Sequence, residues 1–140
     1  MKEMMINKEK NKIGEWPEMG WEFLEPDDGE LITVFIPHET QIGVEGGMHT
    51  GLCAMVFDET MGRAVNNLLR RADLREESKF VTAEMTVNFN KPIPVETEMY
   101  SWARIEKEEG RCMFTSAEII DKNGEVFATA KGRFVRIKSR

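Results

Sequence analysis

Cysteine is scarce: the 140-residue chain has two, Cys53 and Cys112. Two thiols make neither a disulfide scaffold nor a four-cysteine zinc site. Both sit in apolar runs, which suits buried free thiols in a reducing compartment. Histidine is as scarce, with His38 and His49 alone. Neither has a second His or Cys at ligand spacing, so a metal site has no support and no redox cofactor is implied. Cations are in deficit, 19 Lys+Arg against 25 Asp+Glu, a net charge of −6. That argues against a general nucleic-acid binder, because phosphate binding needs surplus cations. Long apolar runs are missing too. The longest uncharged stretch, residues 46–57, is 12 residues long, short of the roughly 18 a membrane span needs. The opening MKEMMINKEK lacks the apolar core of a signal peptide. These absences point to a cytoplasmic protein with no membrane partner. What remains is 41 % hydrophobic and 31 % charged, enough for one core and not biased toward disorder. A single domain this small has little room to enclose a deep ligand pocket by itself.

Residues 1–12 are polar and charged and are expected to form a mobile arm or a short helix, within an N-terminal arm of residues 1–15. Residues 16–140 are expected to form one domain. Residues 21–24 and 31–36 flank Pro26-Asp27-Asp28-Gly29, turn formers that predict a hairpin. Three glycines, Gly43, Gly46 and Gly47, mark a loop over residues 41–48. A long helix is predicted over residues 49–71. Its apolar residues surround the axis, which predicts burial on all sides. Arg70 and Arg71 suit its C-terminal end. Residues 81–89 then alternate strictly, with Val81, Ala83, Met85, Val87 and Phe89 on one side and polar residues, including Thr82, on the other. This predicts a half-buried strand. Runs over residues 96–107, 111–121 and 125–137 follow, separated by Gly110 and by Asn123-Gly124, a strong hairpin signal. The order is hairpin, helix, antiparallel meander. The economical packing is α+β, a curved sheet around the helix.

Two places can carry chemistry. Gly46 and Gly47 precede the helix start, and glycine lets a backbone approach a ligand closely. First-turn N–H groups have no partner within the helix and carry the positive dipole end, so they can polarise a carbonyl. An ordinary glycine-rich loop with a frayed cap fits the same residues. Asp58 and Glu59 end the uncharged run on the helix. A desolvated carboxylate there is costly and makes a better general base. A helix face open to solvent explains the pair without function. His49 suits a loop-holding hydrogen bond, and Thr82 can point a hydroxyl toward a site or simply face water.

The pattern Gly43-x-x-Gly46-x-x-His49-Thr50-Gly51, followed by residues 52–62 with Asp58 nine positions after His49, resembles a known signature. It is similar to that of hotdog-fold acyl-CoA thioesterases of the phenylacetate-degradation (PaaI) type. Residues 81–89 and the Pro92/Pro94 pair resemble that family's strand and its following turn. The resemblance implies a hotdog fold, an antiparallel sheet wrapped around the central helix. It also implies a homodimer or homotetramer with active sites at the subunit interface, and an acyl-CoA substrate. Asp58 would be nucleophile or general base. The Gly51 N–H of the neighbouring chain would polarise the thioester carbonyl, with Thr50 beside it. His49 would shape the loop, and Thr82 would orient water or the carboxylate. Gly46, Gly47, Thr50 and Glu59 would lie against substrate. Two positions depart from the pattern: Thr50 replaces the first glycine of His-Gly-Gly, and Gly43 stands where some members carry Asn. A non-catalytic acyl-CoA-binding module and an acyl-thioester hydratase or dehydratase are the alternatives this fold allows. Asp58 speaks against the first, and His49 at the helix start fits the second poorly.

Overall fold

The computed structural model describes residues 7–44, 46–71 and 78–138, and only the backbone of Arg70, Arg71, Ser78 and Lys138. The expectations for residues 1–6 and for the Arg70 and Arg71 side chains lie outside it. The chain runs α1 (Lys8–Asn11), β1 (Lys12–Trp16), β2 (Trp21–Leu24), β3 (Glu30–Phe35), a 3-10 turn (Glu39–Gln41), α2 (Thr50–Arg71), β4 (Ser78–Phe89), β5 (Met99–Glu109), β6 (Cys112–Ile120) and β7 (Val126–Lys138). The strands form one seven-stranded sheet in the order β1-β2-β3-β5-β6-β7-β4. Every pairing is antiparallel, and the sheet curves around α2. The α+β arrangement read from the residues is the one found.

β1 starts at Lys12 and pairs with β2, within residues expected to belong to an arm. It is an edge strand with mostly exposed side chains, so no hydrophobic alternation announces it. Trp16 and Trp21 close this pair edge to face, with ring centroids 5.4 Å apart.

The helix is buried on one side, not all round. Cys53, Val56, Phe57, Thr60, Met61, Ala64, Val65 and Leu69 are buried, at the three- and four-residue spacing of one helical face. Asp58, Glu59, Gly62, Arg63 and Asn66 are only half-buried. Thr60, fully buried, bonds the Val56 carbonyl at 2.6 Å, Ser101 Oγ at 2.9 Å and Thr33 Oγ1 at 2.7 Å. Three hydroxyls satisfied this way tie α2 to β3 and β5.

The strict alternation read over residues 81–89 does not hold. Thr82 pairs with Phe134 and Glu84 with Arg133, so Ala83 is a bulge. One extra residue reverses the phase of a strand. Thr82 therefore shares the helix-facing side with Phe134, while Glu84 faces outward and meets Arg133 at 3.6 Å. After the bulge, Met85 and Val87 pair with the buried Gly132 and Ala130. β4 is the other sheet edge, and Val81 and Phe89 remain 37 % and 48 % exposed.

The two cysteines differ. Cys53 is buried, and burial pushes its thiol up to about 12. Cys112 is half-buried beside Arg133 Nη1, 3.9 Å from its sulfur. In the native protein near pH 8, a thiol reagent is expected to count one cysteine, and the second only after unfolding. Stoichiometric titration with a chromogenic disulfide checks this.

Glu98 gives an acid signature. Burial works against its ionisation, but hydrogen bonds from Lys8 and Tyr100 outweigh that and hold it below the ordinary 4.5. The folded state therefore binds this proton less readily than the unfolded chain. Glu98 stabilises the fold above that ordinary value, and the gain is lost as pH falls through its lowered folded pKa. The stability gap between wild type and Glu98→Gln is expected to be full near neutrality and to close in acid. Urea unfolding across pH measures it.

Candidate active site

The loop ahead of α2 is held by backbone bonds. Gly43 N–H donates to the Gly47 carbonyl at 2.8 Å, Gly46 N–H to the Gly43 carbonyl at 3.2 Å, and Met48 N–H to the Ile93 carbonyl at 2.8 Å. Gly46 adopts φ 85°, which glycine takes without strain. Gly47 is buried against Pro92 and Ile93: an added Cβ would lie 2.9 Å from the Ile93 nitrogen and oxygen. His49 then caps α2 with its ring, Nδ1 accepting the Gly51 N–H at 2.9 Å. The imidazole lies so close to Gly51 that a Cβ there would sit 3.0 Å from the ring. Capping by Nδ1 requires that nitrogen to be unprotonated. Gly43, Gly47, His49, Thr50 and Cys53 line a cavity of about 510 Å³ with Ile42, Val44, Phe89 and Pro92 on its apolar sides. Cys53, protonated at neutral pH, does not supply a thiolate there.

Asp58, Glu59 and Thr82 meet elsewhere. They line a second cavity of about 350 Å³ along the seam of α2 and β4, with Gly62, Arg63, Asn66, Phe80 and Phe134. Thr82 Oγ1 donates to Asp58 Oδ1 at 2.6 Å, a contact that exists because the Ala83 bulge turns Thr82 toward the helix. A carboxylate is an acceptor at both oxygens, so Oδ2 keeps its lone pairs for water or substrate. Glu59 is engaged otherwise: it pairs with Arg63 at 2.6 Å, and the Arg63 guanidinium stacks 3.8 Å from the Phe23 ring centre.

The eight residues singled out in the sequence thus fall into two groups within one chain. Gly46, Gly47, His49, Thr50 and Gly51 stand at the helix start; Asp58, Glu59 and Thr82 stand midway along it. Gly51 and Asp58 are seven residues apart on one helix, roughly 10 Å at 1.5 Å per residue. The sequence reading missed Asn66 and Phe89. Asn66 lies two i+4 steps beyond Asp58 on the half-buried side, a position the helical pattern does expose. Among the described residues, no group of three or more His, Cys, Asp or Glu could hold a metal ion. No helix among them is long and apolar enough to cross a membrane.

One antiparallel sheet wrapped around one long helix, with a capped helix start and a carboxylate midway, defines a hotdog-fold protein. The thioesterase superfamily pattern matches residues 45–128, and the chain belongs to that superfamily. A curated relative, acyl-coenzyme A thioesterase THEM4 of Xenopus laevis, is 27 % identical over 116 residues, 82 % of this chain and 49 % of the relative. The chain thus spans about half of that relative's length. The PaaI protein of the Escherichia coli phenylacetic acid degradation operon superposes with a TM-score of 0.75 at 16 % identity, covering 86 % of this chain and 82 % of that one. The smu.793 protein of Streptococcus mutans UA159, solved bound to acetyl CoA, superposes at 0.71 with 12 % identity, covering 86 % and 91 %.

Proposed function

We propose that the protein hydrolyses acyl-coenzyme A thioesters, with Asp58 as general base or nucleophile. The observation that carries this is the Asp58 carboxylate held by Thr82 at the wall of an open cavity. As a base, Asp58 takes a proton from water, and the resulting hydroxide adds to the thioester carbon. The carbonyl oxygen gains charge and is stabilised by the Gly51 N–H at a helix N-terminus. The carbon–sulfur bond then breaks, the CoA thiolate takes the proton that Asp58 had accepted from water, and the free acid is released with Asp58 ionised again. His49 Nδ1 holds that same N–H in the free chain, so the thioester oxygen shares or displaces this cap.

The roughly 10 Å between Gly51 and Asp58 on one helix exceeds the reach of one carbonyl group. A second copy supplies the other half of each site, making a homodimer or homotetramer. Its docking face is the β4 edge with Val81 and Phe89, continued by Ile42 and the fully exposed Val44. Superfamily membership, the acyl-CoA thioesterase relative and the acetyl-CoA-bound neighbour all favour this chemistry. The free thiols suit a cytoplasmic setting. A panel of acyl-CoAs tests the proposal by released thiol. Turnover of at least one acyl-CoA is expected; binding without any turnover sinks it.

A further inference from the structure

We infer that Asn66 is a positioning residue: its side-chain amide clamps the free edge of β4 at Phe80 and so fixes Thr82 against Asp58. The inference rests on the thioesterase proposal for its kinetic consequence, but its geometry stands apart from it. Among the described residues of one chain, β4 pairs with β7 on one side only, so its other edge offers backbone groups that no strand of the same chain takes up. At Phe80 that edge is occupied. Phe80 N–H donates to Asn66 Oδ1 at 3.0 Å, and Asn66 Nδ2 donates to the Phe80 carbonyl at 3.3 Å and the Gly62 carbonyl at 3.0 Å. Arg136, opposite Phe80 on β7, gives its own N–H to the Arg111 carbonyl on the far side at 2.8 Å. Asn66 thus stands in for a strand partner. Its partners dictate which end of the amide is oxygen, because an N–H needs an acceptor and two carbonyls need a donor.

The clamp sits where it controls the carboxylate. Asn66, Gly62 and Asp58 form one i, i+4 row on α2, and all three line the cavity with Phe80 and Thr82. Phe80 and Thr82 are two residues apart on the same side of β4, about 6.6 Å along the strand. The Ala83 bulge follows immediately. Thr82 is therefore fixed between the amide clamp and the bulge, and sliding or rolling of β4 would pull its hydroxyl off Asp58 Oδ1.

The test combines kinetics and amide exchange on the full chain. Asn66→Ala is expected to speed exchange of the Phe80 amide and to lower kcat roughly 10-fold, less than the 100-fold that a misplacement of about 1 Å can cost. KM for the best acyl-CoA of the panel should stay within about twofold, since only positioning has changed. In a Thr82→Val background, Asn66→Ala should add little further loss, because the effect runs through Thr82. Asn66→Asp accepts from Phe80 at any pH but donates to its carbonyl only when protonated. Its activity relative to wild type should therefore rise as pH falls. Unchanged Phe80 exchange in Asn66→Ala overturns the clamp. Faster exchange with unchanged kcat, or fully multiplicative losses with Thr82→Val, overturns the positioning role. A wild-type protein that turns over no thioester overturns the thioesterase proposal, and Phe80 exchange alone then decides the clamp.

Discussion

Replacing Asp58 by asparagine is expected to lower kcat/KM for acyl-CoA by roughly 10²–10⁴, the range that general-base catalysis contributes. The substitution is close to isosteric. The amide oxygen that Asp58→Asn introduces still accepts the Thr82 hydroxyl, which in the wild type bonds Asp58 Oδ1 at 2.6 Å. Volume and packing are kept, so the thermal midpoint should hardly move. What is lost is the charge and the basic lone pair at Oδ2. Thr82→Val should cost less, about 10-fold, because it frees the carboxylate without removing it. Glu59→Gln should cost least, since Glu59 is committed to Arg63 at 2.6 Å. Steady-state kinetics with thermal denaturation beside them measures all three. An Asp58→Asn protein with wild-type turnover would exclude Asp58 from the chemistry.

Gly47→Ala is expected to damage the protein by another route. A Cβ at residue 47 would meet Pro92 Cβ at 2.8 Å and the Ile93 backbone nitrogen and oxygen at 2.9 Å. Backbone atoms cannot swing aside as a side chain can. The Ile93 carbonyl also accepts Met48 N–H, so moving it disturbs the helix start. Overpacking of this kind costs about 1–3 kcal/mol, which for a domain of this size is a fall of roughly 3–10 °C in the thermal midpoint. Activity should fall further than stability, because the loop carrying His49 is displaced. Gly46→Ala is the control. Its site has open space and φ 85°, so the cost is the smaller strain of a left-handed alanine, about 1 kcal/mol. Circular-dichroism melts rank the two, and a Gly46→Ala protein less stable than Gly47→Ala would contradict the packing argument.

Much of the fold was legible because its signals are local. Asp-Gly and Asn-Gly turns marked the hairpins, and the run of apolar residues after Gly51 marked α2. β1 was not legible, since an exposed edge strand needs no apolar alternation. The Ala83 bulge was hidden for the opposite reason. The residues alternate without a break, and only the pairing with β7 shows that the phase reverses. Thr82 was placed on the right strand, with its hydroxyl either toward a site or toward water; it is exposed and also bonds Asp58. The helix was read as buried all round because Leu52, Met55 and Leu68 are apolar; they pack only partly against the core. Asn66 escaped notice because a polar helical residue resembles any solvated one until its strand partner is in view.

Subunit mixing tests most directly whether each site is shared between chains. Asp58→Asn lacks the carboxylate, and Gly51→Pro lacks the N–H. Each should be inactive as a pure protein. If Asp58 of one copy works with Gly51 of another, mixed dimers regain one intact site. Statistical mixing through a twofold interface should then restore about a quarter of wild-type activity. Mixed dimers that form, as mass spectrometry would show, yet recover no activity would contradict a site shared between chains.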